Sequence, residues 1–168
     1  GPTINAAGEL SFEPLADRSG TALIRVILRD LANNETSIPV TFRITISFIN
    51  SAPSFTVSNG DQLIDEKAGF QNVFAWATNI SPGPNPEETL QKLTFKTTVV
   101  ATTQYMSFKQ KPQISASGIL TYEVNETANG TATIEVYLED DGPGTAPNEN
   151  TSATITFTIT VNPINDPP

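Results

Sequence analysis

Residues 151–168 read TSATITFTITVNPINDPP. For about ten residues small or polar side chains alternate with apolar ones, and the run then stops in Pro and Asn-Asp-Pro-Pro. A two-residue period belongs to a strand with one buried face. The stretch therefore predicts a β-strand that feeds a short, stiff exit limited by proline. Residues 38–53, IPVTFRITISFINSAP, are a near copy. A repeated β unit organises the chain.

The copying extends upstream. PTINAAGEL at 2–10 matches PQISASGIL at 112–120, an offset of 110. It continues as LSFEP against LTYEV, then SGTALIRVILRD (19–30) against NGTATIEVYLED (129–140). Gly8 falls on Gly118, Gly20 on Gly130 and Asp30 on Asp140. The next loop is about five residues longer in the second copy, so the closing strands match at an offset of 115. A surface loop is where such a length change costs least. Shared order of glycines, alternation and closing motif marks an internal repeat.

The second copy, residues 51–168, has strand patterns at 53–57, 62–64, 72–79, 93–100, 104–108, 119–124, 131–139 and 151–161. Residues 81–88, SPGPNPEE, carry three prolines and read as an irregular loop, because proline cannot continue a ladder. Roughly seven strands over this length predict an all-β, Greek-key, immunoglobulin-like sandwich. The first copy, residues 1–50, holds only the last three strands of a repeat and a short fourth at 3–5. Its counterpart of 53–111 is absent. Three strands make a poor independent core. The missing strands then precede Gly1 in the natural protein, or come from another chain by complementation or swapping, or are replaced by packing on the second domain. A Gly-Pro start is also what removal of a tag leaves behind.

Composition narrows the chemistry. The net charge is −9 with nine basic residues among 168 and no basic cluster, which excludes a nucleic-acid backbone as partner. No apolar run reaches the twenty residues of a spanning helix, so no membrane insertion is expected. The chain has no Cys and no His, hence no disulfide, no thiolate zinc site and no imidazole base. Carboxylates, amides and hydroxyls remain, the ligand types of Ca²⁺.

Three stretches carry a family resemblance: SASGILTYEV (115–124), TATIEVYLEDD (131–141) and ITVNPINDPP (159–168). A glycine-marked hairpin, a central strand ending in Asp, and an alternating strand closing in Asn-Asp and Pro together resemble the cadherin-like repeat of large surface adhesins. The resemblance implies a cadherin-like sandwich for 51–168, the C-terminal half of one for 1–50, and Ca²⁺ held between successive domains. Carried over residue by residue, it implies Asn165 and Asp166 as ligands toward a following domain. Asp140 would face the preceding one. Glu66 resembles the acidic residue near the start of a repeat, and Asn125-Glu126 the pair after the hairpin. Asp166, Glu126 and Glu66 supply three carboxylates if the fold brings them to one pole. The alternative reading is that all are ordinary loop carboxylates. Between the two copies the matching dipeptide is Asn50-Ser51, without the carboxylate, so a cation there would lean on Asp17 and Asp140.

These readings lead to an extracellular structural or adhesion module, secreted or at the cell surface, acting as a spacer between neighbouring domains. The expected partners are those domains, a homophilic or heterophilic protein or glycan, and strands that complement residues 1–50. Acceptor patterns for N-glycosylation at Asn34, Asn79, Asn125, Asn129 and Asn150 are consistent with secretion. The alternative is a carbohydrate-binding β-sandwich using Trp76, Tyr105 or the loops 81–88 and 141–150. Catalysis is not expected, because Asp65/Glu66 and Asp140/Asp141 are neighbours on strands and point to opposite faces. An isopeptide bond from Lys96 or Lys109 is a further option for a surface sandwich.

Overall fold

A computed structural model describes residues 1–165; the expected ligand Asp166 lies outside the described residues. The chain divides into two compact units, Gly1–Ile49 and Asn50–Pro168.

The first unit contains β1 (Thr3–Ile4), β2 (Leu10–Ser11), β3 (Gly20–Val26) and β4 (Val40–Ile46). β1 pairs with β2 and β3 with β4, both antiparallel. The second unit begins with β5 (Ser54–Val57), β6 (Gln62–Asp65), β7 (Phe70–Val73) and β8 (Ala77–Ser81). A 3₁₀ helix (Pro86–Leu90) follows, then β9 (Thr94–Thr102), β10 (Phe108–Ile114), β11 (Leu120–Val124), β12 (Gly130–Glu139) and β13 (Ile155–Asn162).

Three sheets contribute to one core in this second unit. The four-stranded sheet runs β6-β13-β12-β9, with β6 parallel to β13 and the other pairs antiparallel. The three-stranded sheet runs β10-β11-β7, and β5 pairs with β8. Alternate residues of β11, β12 and β13 are buried, among them Leu120, Tyr122, Ile134, Val136, Phe157 and Ile159 in one shared cluster. Burying each such side chain is worth about 1.5–3 kcal/mol. The architecture is all-β and consistent with a β-sandwich.

The internal repeat has a structural counterpart. Seven pairs join β3 to β4, from Gly20↔Ile46 to Val26↔Val40. Adding 110 and 115 to these numbers gives the pairs from Gly130↔Val161 to Val136↔Ile155 that join β12 to β13. The hairpin turns match as well. Asn5 Oδ1 accepts from Glu9 N at 2.9 Å and Ser115 Oγ from Ile119 N at 3.1 Å. Gly8 and Gly118 both have φ near +80° (82° and 81°). At Gly118 space also forbids a side chain, since a Cβ would stand 2.0 Å from Ala77 O.

Several expected boundaries are corrected. Nine strands, β5 to β13, occupy the described part of the second unit rather than about seven. Residues 72–79 are not one strand. Ala75 turns the chain with φ of 51° and separates β7 from β8. The turn reverses the inward register, leaving Phe74 67% exposed while Trp76 and Ala77 are buried in succession. Residues 104–108 do not form a strand either. Met106 N donates to Thr103 O in a turn at 3.1 Å, and the strand starts at Phe108. It accommodates Pro112 where the β10–β11 register shifts between Gln110 and Gln113, the kind of irregularity that tolerates a missing N–H.

One core hydroxyl is unmatched. Tyr122 is fully buried and its Oη has no hydrogen-bond partner among the described residues. Burial pushes its phenol up to about 12. The unfolded phenol ionises near 10 while the folded one stays neutral, so stability from this group is lost as pH rises from about 10 to 12. The equivalent position in the first repeat is Phe12. Tyr122→Phe is expected to leave stability at neutral pH unchanged or raise it by up to about 1 kcal/mol. It should also flatten the alkaline loss. Urea unfolding of both proteins at neutral pH and across this alkaline window checks both statements.

Candidate functional site

A buried polar cluster gathers at the pole of the second unit where the chain enters. Asn50 is 1% exposed, which amide groups tolerate only with full hydrogen bonding. Its backbone N donates to Asn148 Oδ1 at 2.9 Å, and its carbonyl accepts from Glu149 N at 3.0 Å. Its Nδ2 donates to Asp140 Oδ1 at 3.0 Å and to Glu149 O at 2.7 Å. Its Oδ1 accepts from Gln91 Nε2. Every polar group of Asn50 has a partner.

Glu88 is the second member and is completely buried. Its Oε1 accepts from Ser51 N at 2.6 Å and its Oε2 from Asn85 N at 2.9 Å. The short 3₁₀ helix positions it. Asn85 caps the helix, Pro86 follows in the first turn, and Glu88 closes a reciprocal capping box. Pro at this position is pre-set for a helix start and loses no needed donor. Gly83 leaves room for the carboxylate, because a Cβ there would lie 2.0 Å from Glu88 Oε2. Three prolines in 81–88 announce an irregular loop, and the Asn-Pro-Glu-Glu spacing of 85–88 is the sequence signal for the capped turn found there.

Asp140 is the third member, 3% exposed. Its Oδ1 accepts from Gly142 N at 2.7 Å besides the Asn50 amide. Its Oδ2 and Gln91 Oε1 are buried acceptors without a partner among the described residues. Neighbouring Asp141 is exposed and accepts from Lys92 N at 2.9 Å.

The other predicted ligands lie at the opposite pole, since the ten-residue β12 separates Asp140 from Asn129 by roughly 30 Å at ~3.3 Å per residue. Glu66 Oε1 accepts from Asn129 Nδ2 at 2.7 Å and Oε2 from Ile164 N at 3.0 Å. The fold thus brings Glu66, the turn carrying Glu126, and the exit segment to one end. Glu126 and Asn165 are exposed there. Among the described residues no group of three or more acidic side chains is placed to hold a metal ion.

The donor set at the entry pole is a poor match for Ca²⁺. That ion takes six to eight oxygens, several from carboxylates. Both oxygens of Glu88 and one of Asp140 already accept N–H bonds. Asp140 Oδ2 and Gln91 Oε1 are left as acceptors without a partner among the described residues.

The remaining candidates separate clearly. Trp76 is fully buried, donates from Nε1 to Gly60 O at 3.1 Å, and packs on Phe157 with ring centroids 4.8 Å apart. It belongs to the core and offers no platform to a sugar. Tyr105 is 64% exposed. Lys96 pairs with Glu139 at 2.8 Å and Lys109 with Glu123 at 2.7 Å, both at the surface. Asp65 accepts from Asn162 Nδ2 at 3.1 Å, so each residue of the Asp65/Glu66 pair is bonded to the exit segment.

The entry cluster makes a direct prediction. Asn50→Ala removes both the amide donor to Asp140 and the acceptor for Gln91, leaving buried polar atoms unmatched. A loss of about 2–3 kcal/mol is expected, read as a lower urea midpoint for the second unit.

No protein-family model matches the chain and no curated protein matches it in sequence, so a functional reading rests on the fold, the repeat and this cluster.

Proposed function

We propose that the chain is a tandem repeat module of an extracellular or cell-surface protein, acting as a spacer or adhesion segment of the cadherin-like kind. The finer description, a Greek-key immunoglobulin-like sandwich, belongs to the same proposal. The observation that carries it is the parallel pairing of β6 with β13, from Ile159↔Gln62 to Asn162↔Asp65. A strand near the entry and the last strand run in the same direction, and the chain enters and leaves at opposite ends of the unit. Tension along the chain therefore loads that ladder in shear, so its hydrogen bonds must fail together. This geometry suits a module that bears tension along the chain. The tandem arrangement supports the same role. Burial of Trp76 weighs against the carbohydrate-binding alternative, and the capped carboxylates weigh against an enzyme.

The entry cluster contributes the joint. Anchoring Asn50 and Ser51 by hydrogen bonds to Asp140 and Glu88 fixes the first residues of the unit to its own pole. In this reading the Asn50 amide offsets a buried carboxylate in the way a cation would between opposed carboxylates.

Two measurements test the proposal. The chain has no cysteine, so added thiols give clean handles for single-molecule pulling. Handles at the ends of the chain load β6–β13 in shear, whereas handles at Glu126→Cys and Asn162→Cys, both at one pole, peel β12 from β13. The end-loaded unit is expected to unfold at the higher force; equal forces would remove the load-bearing role. Thermal melting in Ca²⁺ and in chelator is expected to give the same midpoint for the entry pole. A Ca²⁺-dependent rise abolished by Asp140→Asn would overturn the amide-held joint. A rise abolished only by Glu66→Gln would place an ion at the exit pole instead.

A further inference from the structure

We infer that the exposed apolar face of the Gly1–Ile49 unit is a docking surface for a β segment with the strand pattern of residues 53–111. The inference stands apart from the mechanical role proposed above.

The face is defined by comparison within the chain. Leu10, Phe12, Ala22, Ile24, Phe42 and Ile44 correspond by the repeat offsets to Leu120, Tyr122, Ala132, Ile134, Phe157 and Ile159. The second set is buried, none more than 3% exposed. The first set is exposed or half-exposed, with Leu10 at 40% and Phe12 at 45%. Phe12, Ile24 and Ile44 line an open groove of about 430 Å³. One pattern of side chains is thus a core in one unit and a surface in the other. A contiguous apolar patch of this kind marks an interaction site.

The sheet edges identify what covers it. In the second unit β12 is flanked by β9, β13 by β6 and β11 by β7. All three flanking strands belong to residues 53–111. The matching edges of β3, β4 and β2 carry no strand among the described residues. Open backbone edges beside an apolar face accept further strands. The same span supplies Trp76 against Phe157, and Phe42 stands in the place of Phe157. The occupant is therefore a half-repeat with alternating apolar strands and an aromatic side chain over the Ile24–Phe42 pair. A second copy of this chain is a poor occupant. To supply these strands it would have to withdraw 53–111 from its own second unit and uncover an equal face, with no net burial gained.

The test joins a second copy of residues 53–111 ahead of Pro2, as residue 111 joins Pro112 in the natural order. In the 168-residue chain, backbone amides of β3 and β4 are expected to exchange rapidly and the protein to be monomeric. In the grafted chain their exchange should slow by on the order of 100-fold, with a second cooperative unfolding transition. A second graft carrying Phe12→Tyr, Pro14→Val and Ile46→Val brings these three positions to their second-unit identities. If β3 and β4 exchange rapidly in both grafts, the inference is overturned. It is equally overturned if the ungrafted chain already protects them, as a dimer (a second copy is then the occupant) or as a monomer.

Discussion

The register of β12 against β13 is the constraint on which the second unit depends. Ile134 stands opposite Phe157 and Ala132 opposite Ile159, so both strands turn alternate apolar residues to the same side. The period is two, and a slip of one residue would replace this set with Thr131, Thr133, Glu135 and Thr156. Leu120, from the three-stranded sheet, and Trp76, from the turn between β7 and β8, pack in the same core as that apolar row. The hairpin β3–β4 keeps the same register although its face is exposed. Alternation and local turn chemistry specify the pairing; the opposing sheet supplies the burial that makes such a pair stable.

What could be read from the amino-acid order follows this division. The repeat, the closing strands and the all-β class were legible because a two-residue period persists over β12 and β13 and recurs at a fixed offset. Residues 72–79 misled for a physical reason: both faces of NVFAWATN are partly apolar. Periodicity cannot choose between such faces, and the left-handed Ala75 that decides the matter carries no glycine to announce it. The prolines of 81–88 let β8 run no further than Ser81 but hide the capping box that directs Glu88 inward. The entry cluster was half legible. Asp140 stood out as a strand-ending acid, whereas Asn50 was discounted for lacking a charge. Its value lies in being an amide, which donates to a buried carboxylate and accepts from Gln91 at once.

Asp140 and its twin Asp30 sharpen what a strand-ending aspartate does. Asp30 Oδ1 accepts from Ala32 N at 2.8 Å, and Asp140 Oδ1 accepts from Gly142 N at 2.7 Å. Both close the same side-chain turn two residues ahead, one exposed and one buried. That local bond explains the residue in each copy without invoking an ion. Burial then adds a second demand, because a carboxylate removed from water needs more than one donor. In the second unit Asn50 meets that demand from the first residue of the unit itself. The segment joining two repeats is thereby recruited into the hydrogen-bonding of the domain it enters, and its anchoring is as stable as the fold that buries it.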